Sequence, residues 1–204
     1  MSSTNSRDAA AAIAEALQHD PFYVAITRQF AADGVRRREA LTRYVECSMV
    51  EGRQVGRVVI WPDPSVGAAV WLLPAAEDTS GVAAEAKAAK ITCFREILGA
   101  DGLETYRRII EFMEPRAVAA VSERAWYLSI LGVSPRVQGQ GIGARLLEPT
   151  LAEADRVGVD CYLETFDARN PRFYGKLGFA GVSTHLEPVT GVPYTIMCRP
   201  AMQK

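Results

Sequence analysis

The glycine-rich segment from Val133 to Ala144 constrains this chain more than any other feature. It reads VSPRVQGQGIGA, and it joins a run rich in β-branched residues to a helical pattern. Glycine lets backbone N–H groups approach a ligand without a Cβ in the way. At a helix N-terminus those unpaired donors and the helix dipole favour phosphate oxygens. The segment therefore predicts a diphosphate-binding turn between a strand and a helix.

Comparison with known phosphate-binding patterns narrows the type of turn. A Walker loop needs Lys and Ser or Thr after its last glycine, and these are absent. The dinucleotide fingerprint needs G-x-G-x-x-G, whereas this segment has G-x-G-x-G. The segment instead fits the pattern Q-x-x-G-x-G, in which the fixed positions are Gln138, Gly141 and Gly143. A plain glycine-rich turn stays open as the alternative.

A second informative segment, residues 170–179, follows the next predicted strand. Asn170 can cap a short helix that has Pro171 in its first turn, or its amide can bond to a ligand. Phe173 has the helical spacing of a core residue. Tyr174 must then point elsewhere, either as a functional phenol or as a half-buried tyrosine that fills a gap.

Composition limits the class of protein. The 204 residues are 49% hydrophobic, which suits one well-buried domain and excludes an intrinsically disordered chain. The 23 basic and 24 acidic residues leave a net charge of −1, so neither nucleic acid nor an anionic membrane is expected as a partner. No run of 18 apolar residues and no signal-peptide pattern occurs, which predicts a cytoplasmic protein. The scattered cysteines predict free thiols, and with only two histidines they predict no metal site.

The hydrophobic periodicity predicts an α/β fold with a central mixed sheet. A helix is expected to begin at Asp20 and Pro21, where Asp20 can cap it. Further helices are expected at 35–50, 80–98 and 103–113, with a break at 99–102 and an end before Pro115. A hairpin is expected at 54–60 and 68–73. The second half should run strand 125–133, helix 141–157 with a kink at Pro149, strand 159–166, helix 171–177, and a hairpin at 179–186 and 194–198.

Together, the two motifs resemble those of the GNAT superfamily of acyl-CoA-dependent N-acetyltransferases. Residues 125–128, 163–165 and 169–174 are similar to the puromycin N-acetyltransferase group within it. The resemblance implies a GNAT-like α/β fold: a central mixed, twisted β-sheet with helices on both faces and a splayed parallel strand pair. It also implies a single domain over 1–204, with acceptor-side helices and N-terminal strands in 1–115 and an acetyl-CoA-binding half in 116–204. Residues 1–8 show no strand pattern, so the family's first strand is expected to be missing or vestigial.

The resemblance also assigns residues to the cosubstrate acetyl-CoA, with no metal. The glycine-rich loop would hold the pyrophosphate, and the backbone of the preceding strand would pair with the pantetheine amides. Gly132 in that strand fits a bulge or a close backbone approach. The residues expected at acetyl-CoA are Leu131, Gly132, Val133, Arg136, Gln138, Gly139, Gln140, Gly141, Ile142, Gly143, Ala144 and Asn170.

The implied reaction is direct attack of a primary amine on the thioester in a ternary complex. The family assigns the general acid to the tyrosine that matches Tyr174. Glu164 is the best candidate base by position, because a carboxylate in a partly apolar slot has a raised pKa. An ordinary ion-paired or surface glutamate is the alternative, and His185 is a further candidate base.

The acceptor is expected to be a small-molecule amine. Two alternatives stay open: acetylation of a protein or peptide amine, and a non-catalytic acyl-CoA-binding module. A homodimer is also left open. Aromatic residues of the first half would either wall the acceptor pocket or form core. They are Phe22, Tyr23, Phe30, Trp71, Phe94, Tyr106 and Phe112.

Overall fold

The computed structural model describes residues 3–74 and 80–202. Its helices are α1 (Ser3–Leu17), α2 (Pro21–Ile26), α3 (Gly34–Val55), α4 (Ser80–Ala120), α5 (Ile142–Val157) and α6 (Asn170–Gly175). Its strands are β1 (Gly56–Ile60), β2 (Gly67–Leu72), β3 (Trp126–Val133), β4 (Cys161–Thr165), β5 (Ala180–Leu186) and β6 (Pro193–Arg199).

The strands form one mixed sheet in the order β1-β2-β3-β4-β6-β5. Only β3 and β4 run parallel, and their ladder is confined to the pairs Trp126–Cys161 and Tyr127–Tyr162. Beyond these pairs the two strands are no longer hydrogen-bonded to each other, so a slot lies between their carboxyl-terminal parts. The predicted α/β fold with a splayed parallel pair is therefore confirmed.

Helices cover both faces of the sheet and divide the core into two clusters. On one face α1, α3 and α4 bury a large cluster that includes Ile13, Tyr44 and Phe94. On the other face α5 and α6 bury a smaller one that includes Leu147 and Tyr174. Alternate residues of each strand serve the two clusters, as the pleat requires.

In the described part of the chain, everything before Gly56 is helical or turn, as the lack of a strand pattern at the N-terminus predicts. Helix α1, which the periodicity analysis missed, crosses β3 at Gly132. A Cβ on Gly132 would lie 2.8 Å from the Ile13 Cα, closer than real Cβ atoms come to backbone. The close approach expected at Gly132 is therefore made by this helix.

Helix α4 is longer than predicted. Its only non-helical residue is Gly99, with φ 66° and ψ −172°, which confirms a break there. The helix then continues through Pro115 to Ala120, so the predicted end before Pro115 is wrong. In that turn the Arg116 guanidinium donates to the Phe112 carbonyl at 2.6 Å. Helix α5 likewise continues through Pro149. No described helix is both long and apolar enough to cross a bilayer.

The cysteines also differ from expectation. Cys47 on α3 and Cys93 on α4 form a disulfide with their Cα atoms 6.6 Å apart, so the prediction of free thiols is wrong for this pair. The facing positions of the two helices bring the thiols together, although the residues are far apart in sequence. Cys161 and Cys198 are free.

Candidate active site

Two adjoining cavities lie along the slot between β3 and β4. The larger, of about 830 Å³, follows the end of β3 and the N-terminus of α5. The smaller, of about 160 Å³, lies on the side of α2, α3 and α4. A shared wall separates them, formed by Leu17, Asp20, Leu131, Phe166, Asn170 and Tyr174. The two cavities therefore adjoin at these six residues, where a molecule in one would lie close to a molecule in the other.

The glycine-rich turn lines the larger cavity with backbone. Gly139 and Gly141 have φ of 80° and 77°, in the left-handed region that favours glycine. Gly141 is the N-cap of α5 and makes no side-chain capping hydrogen bond. A Cβ at either glycine would meet nothing within 4 Å, so the space beside the turn is open. The first N–H groups of α5 are thus available to an anion, as the sequence predicted.

A third glycine of the motif has a packing function. A Cβ on Gly143 would lie 3.1 Å from Cζ of Phe173, which also lines the larger cavity. The glycine therefore lets α5 approach α6 closely. The spacing argument predicted Phe173 only as core.

Of the residues predicted at acetyl-CoA, all but Arg136 and Gln140 line the larger cavity. Arg136 is exposed and lies 3.7 Å from Glu15 on α1. Gln138 does line the cavity, but its Nε2 donates to the Val133 carbonyl at 2.9 Å. Its side chain therefore braces the turn against the end of β3.

The strand that approaches this turn has one free edge. β3 pairs with β2 along its length, including Leu131 with Ala69 and Val133 with Gly67. Its ladder with β4 stops at Tyr127. The β4-facing edge of β3 from residue 128 onward therefore has backbone groups that β4 does not engage.

Tyr174 on α6 stands in the wall between the cavities. It is 8% exposed, and the rings of Phe173 and Phe179 contact it edge-on. Burial, and after it the charge of Asp20, raises the pKa of the Tyr174 phenol above its ordinary value. The hydroxyl consequently remains protonated at neutral pH and can donate a proton or a hydrogen bond.

Glu164 on β4 lines the smaller cavity but not the larger one. Its Oε2 accepts a hydrogen bond from the Tyr127 hydroxyl at 3.3 Å, while its Oε1 is buried and has no partner. Burial, with a smaller effect of Glu114, raises the pKa of Glu164 to about 7, and the Tyr127 hydrogen bond opposes that rise. A carboxylate with an unpartnered oxygen at a cavity is suited to bind a cation or accept a proton.

The other two candidate residues differ in position. Asn170 lies in the shared wall at the start of α6, and its Nδ2 donates to Thr165 Oγ1 at 2.8 Å. Its amide thus joins α6 to the end of β4, rather than capping its own helix. His185 on β5 lies against Tyr194 and lines neither cavity. The structure therefore does not bring His185 to the candidate site.

Asp20 is the site residue that the sequence analysis missed. It was predicted only as a helix cap, and its Oδ1 does accept the Phe22 N–H at 2.9 Å. It also lines both cavities. Burial is the main cause that raises the pKa of Asp20 to about 6; Asp167 adds to the rise, while the Phe22 and Tyr23 amides oppose it. The sequence around Asp20 predicts a helix start, but it contains no pattern that predicts the position of Asp20 at the cavities.

Aromatic rings make up much of the smaller cavity. Of the aromatic residues considered from the first half of the sequence, Phe22, Tyr23 and Tyr106 line it, joined by Tyr44. The rings of Phe22, Tyr23, Tyr44 and Tyr106 contact one another edge-on. The cavity therefore offers π faces and phenol hydroxyls as well as the two carboxylates.

The chain is similar to known acetyltransferases. Residues 100–180 match the family model described as acetyltransferase (GNAT) domain. A stretch of 57 residues is 37% identical to an uncharacterised N-acetyltransferase of Schizosaccharomyces pombe, and it spans 28% of this chain and 23% of that protein. The chain thus matches less than a quarter of the length of this curated relative.

Two solved structures share the whole fold. One is described as histone acetyltransferase HPA2 and related acetyltransferase from Corynebacterium glutamicum, at 20% identity over 100% of this chain and 95% of that chain, with a TM-score of 0.66. The other is arylalkylamine N-acetyltransferase 2 from Aedes aegypti, at 16% identity over 99% and 97%, with a TM-score of 0.60. At these identities the likeness concerns the fold. Residues 100–180 thus match a GNAT acetyltransferase domain, and the fold of the described chain is similar to that of solved acetyltransferases.

Proposed function

We propose that the protein is an N-acetyltransferase that transfers the acetyl group of acetyl-CoA to a primary amine of a small molecule. The observation that carries this proposal is the pair of adjoining cavities. One presents an uncapped helix N-terminus, and the other is lined by Glu164, whose Oε1 is buried without a hydrogen-bond partner. Tyr174 stands between them. Two substrates of opposite character are accommodated side by side.

The larger cavity suits acetyl-CoA, which supplies the activated acetyl thioester. Gly139 and Gly141 leave open space where a Cβ would otherwise project, and the first amides of α5 favour a diphosphate. The free edge of β3, with Leu131 and Val133, would pair with amide groups of the pantetheine arm. The remaining turn and wall residues would hold the cosubstrate: Gly132, Gln138, Ile142, Gly143, Ala144 and Asn170.

Direct transfer requires a neutral amine, because an alkylammonium ion has no free electron pair. Glu164 accepts the proton of the bound ammonium, and the amine nitrogen then forms a bond to the acetyl carbon. The carbon–sulfur bond breaks, and Tyr174 donates its phenol proton to the leaving thiolate. The proton that the nitrogen loses as the amide forms returns Tyr174 to its neutral phenol, and Glu164 releases its proton to solvent. The free coenzyme and the acetylated amine result. General acid catalysis contributes roughly 100- to 10,000-fold, and we expect the lower end because a thiolate leaves well without help.

A small-molecule acceptor is favoured by the small size of the acceptor cavity. At about 160 Å³ it holds a small amine or a single side chain. Both halves of the chain contribute to the site, Leu17 and Asp20 from residues 1–115 and Tyr174 from 116–204, which supports one domain over 1–204.

The test is thiol release from acetyl-CoA with a panel of amines, comparing the wild-type protein with Tyr174→Phe. The panel contains aminonucleosides, polyamines, amino acids and a lysine peptide. We expect wild-type turnover with a small amine. We expect kcat to fall about 100-fold in Tyr174→Phe while acetyl-CoA affinity is retained.

Tyr162→Phe is the matched control. Tyr162 stacks on Tyr127 with ring centroids 4.7 Å apart, but it lines neither cavity. Its loss of a hydroxyl should leave kcat within about twofold of wild type. Unchanged turnover in Tyr174→Phe would refute the acid role of that tyrosine. Coenzyme binding without turnover of any amine would refute the enzyme and favour an acyl-CoA-binding module.

A further inference from the structure

The acceptor cavity contains two carboxylates. Glu164 lies on β4 and lines only this cavity, whereas Asp20, in the turn between α1 and α2, lines both cavities. Asp20 lies outside residues 100–180, which match the family model. The proposed reaction uses one carboxylate, Glu164, and leaves the second without an assigned role.

Neither carboxylate has a cationic partner among the described residues. Asp20 is met by the backbone N–H groups of Phe22 and Tyr23, and Glu164 by the neutral Tyr127 hydroxyl. The carboxylates nearby are each paired with a cation: Asp167 with Arg169, Glu51 with Lys90, and Glu114 with Lys87. The cavity therefore holds two carboxyl groups that no cation of the described residues compensates.

Lys90 does not compensate them. Among the described residues that line the cavity, Lys90 is the only one with a cationic side chain. Its Nζ lies 2.6 Å from Glu51 Oε2. Both side chains are largely buried, at 13% and 6% exposure. Such a pair is neutral overall and is costly to separate. Its charge is thus already engaged when a ligand arrives.

The remaining lining also favours cations. Phe22, Tyr44 and Tyr106 line the cavity, and aromatic rings attract ammonium and guanidinium groups. The unpartnered Glu164 Oε1 points to a missing hydrogen-bond donor on this side. Buried carboxylates are expensive unless a donor or a cation meets them. Asp20 and Glu164 each have only neutral donors and line one small cavity, which favours a ligand with two positive groups.

We infer that the acceptor is a dibasic amine, a diamine or a guanidino-amine, with one cationic group at Glu164 and the other at Asp20. This inference rests on the proposed function and names its substrate class. Asp20 is a specificity-determining residue in this arrangement, since a monoamine would leave one carboxylate without a partner.

The experiment compares α,ω-diamines of increasing chain length with n-alkylamines matched in carbon number, by thiol release from acetyl-CoA. For the best diamine we expect kcat/KM about 10- to 100-fold above that of its matched monoamine, as one charged hydrogen bond provides. In Asp20→Asn this ratio should fall to near one. Asparagine caps a helix about as well as aspartate, so the variant should keep the fold.

Asp33→Asn is the matched control. Asp33 caps α3 by accepting the Val35 and Arg36 N–H groups, and it lines neither cavity. The diamine preference should survive in this variant. A thermal melt of both variants checks the fold.

Three outcomes would overturn the inference: equal use of both amines by the wild-type protein, a preference for the monoamine, or a diamine preference that survives Asp20→Asn. Selective turnover of the lysine peptide would also overturn it. If no amine supports thiol release, the proposed function fails as a whole. The two failures are therefore distinguishable.

Discussion

Glu164 is a carboxyl group whose pKa burial raises well above its ordinary value. Its raised pKa, about 7 against 4.5, means that between these values the folded protein keeps a proton that the unfolded chain has released. The free energy of unfolding of the wild-type protein must therefore fall as pH rises through this window. Glutamine at position 164 does not titrate, so the free energy of unfolding of Glu164→Gln does not fall for this reason. Relative to wild type, we expect the variant to gain up to about 3 kcal/mol between about pH 5 and about pH 8 in urea denaturation.

Glu153→Gln is the control for the sign of this effect. The Arg156 side chain donates to Glu153 and lowers the pKa of that exposed carboxylate. Its wild-type contribution therefore grows as pH rises toward 4.5, so below that pH the free energy of unfolding of the variant should fall relative to wild type as pH rises, and above about pH 5 the difference should be constant. A difference between Glu164→Gln and wild type that does not change with pH would show that Glu164 titrates as in water.

Residue roles could be predicted from sequence where the chemistry is local. The turn glycines and the capping aspartate at position 20 follow from neighbouring residues alone. The position of Asp20 at the cavities could not be predicted in this way, because Tyr174, which lines both cavities with it, is far away in sequence. The same holds for Phe173, whose contact with Gly143 depends on how two helices pack.

At the scale of elements, α1 is fixed by its contact with β3. Gly132→Ala would place a methyl group 2.8 Å from the Ile13 Cα and 2.9 Å from its Cγ1. Backbone cannot give way cheaply, so we expect a loss of about 1–3 kcal/mol in unfolding free energy. Because α1 leads into Leu17 and Asp20, we also expect KM for the amine to rise. Urea denaturation and steady-state kinetics measure the two effects.

Gly34→Ala is the matched glycine variant. Gly34 begins α3, and a Cβ there would meet nothing within 4 Å. It should be neutral or slightly stabilising, because alanine favours a helix over glycine. If Gly132→Ala were as stable as Gly34→Ala, the α1–β3 contact would be looser than described.

The order of elements in the second half could be predicted because each has a strong periodicity and a turn signal at its end. Helix α1 escaped because its buried stripe is mostly alanine, Ala9, Ala10 and Ala14, with Ile13 as its one large residue. Small side chains give a weak hydrophobic period even where they pack tightly. Pro115 was predicted to end α4, yet tertiary packing of Ala117 carries the helix past it.

At the scale of the whole molecule, the two cavities decide the order of events. They share a wall of six residues, and Tyr174 is the hydroxyl-bearing member of that wall. Its raised pKa keeps it protonated and hence a poor nucleophile. Of the cysteines, the free thiols of Cys161 and Cys198 line neither cavity, and the other two are joined as a disulfide. Neither Tyr174 nor a described cysteine is therefore a suitable carrier for a covalent acetyl intermediate, which favours the proposed direct attack.

Both substrates must therefore be bound when the amine attacks. We expect initial velocities, measured over a grid of acetyl-CoA and amine concentrations, to give intersecting double-reciprocal lines. Parallel lines would indicate a covalent intermediate and contradict direct attack. A desulfo analogue of the coenzyme supplies the control. It should compete with acetyl-CoA for the larger cavity without competing with the amine, because the two molecules occupy opposite sides of the Tyr174 wall.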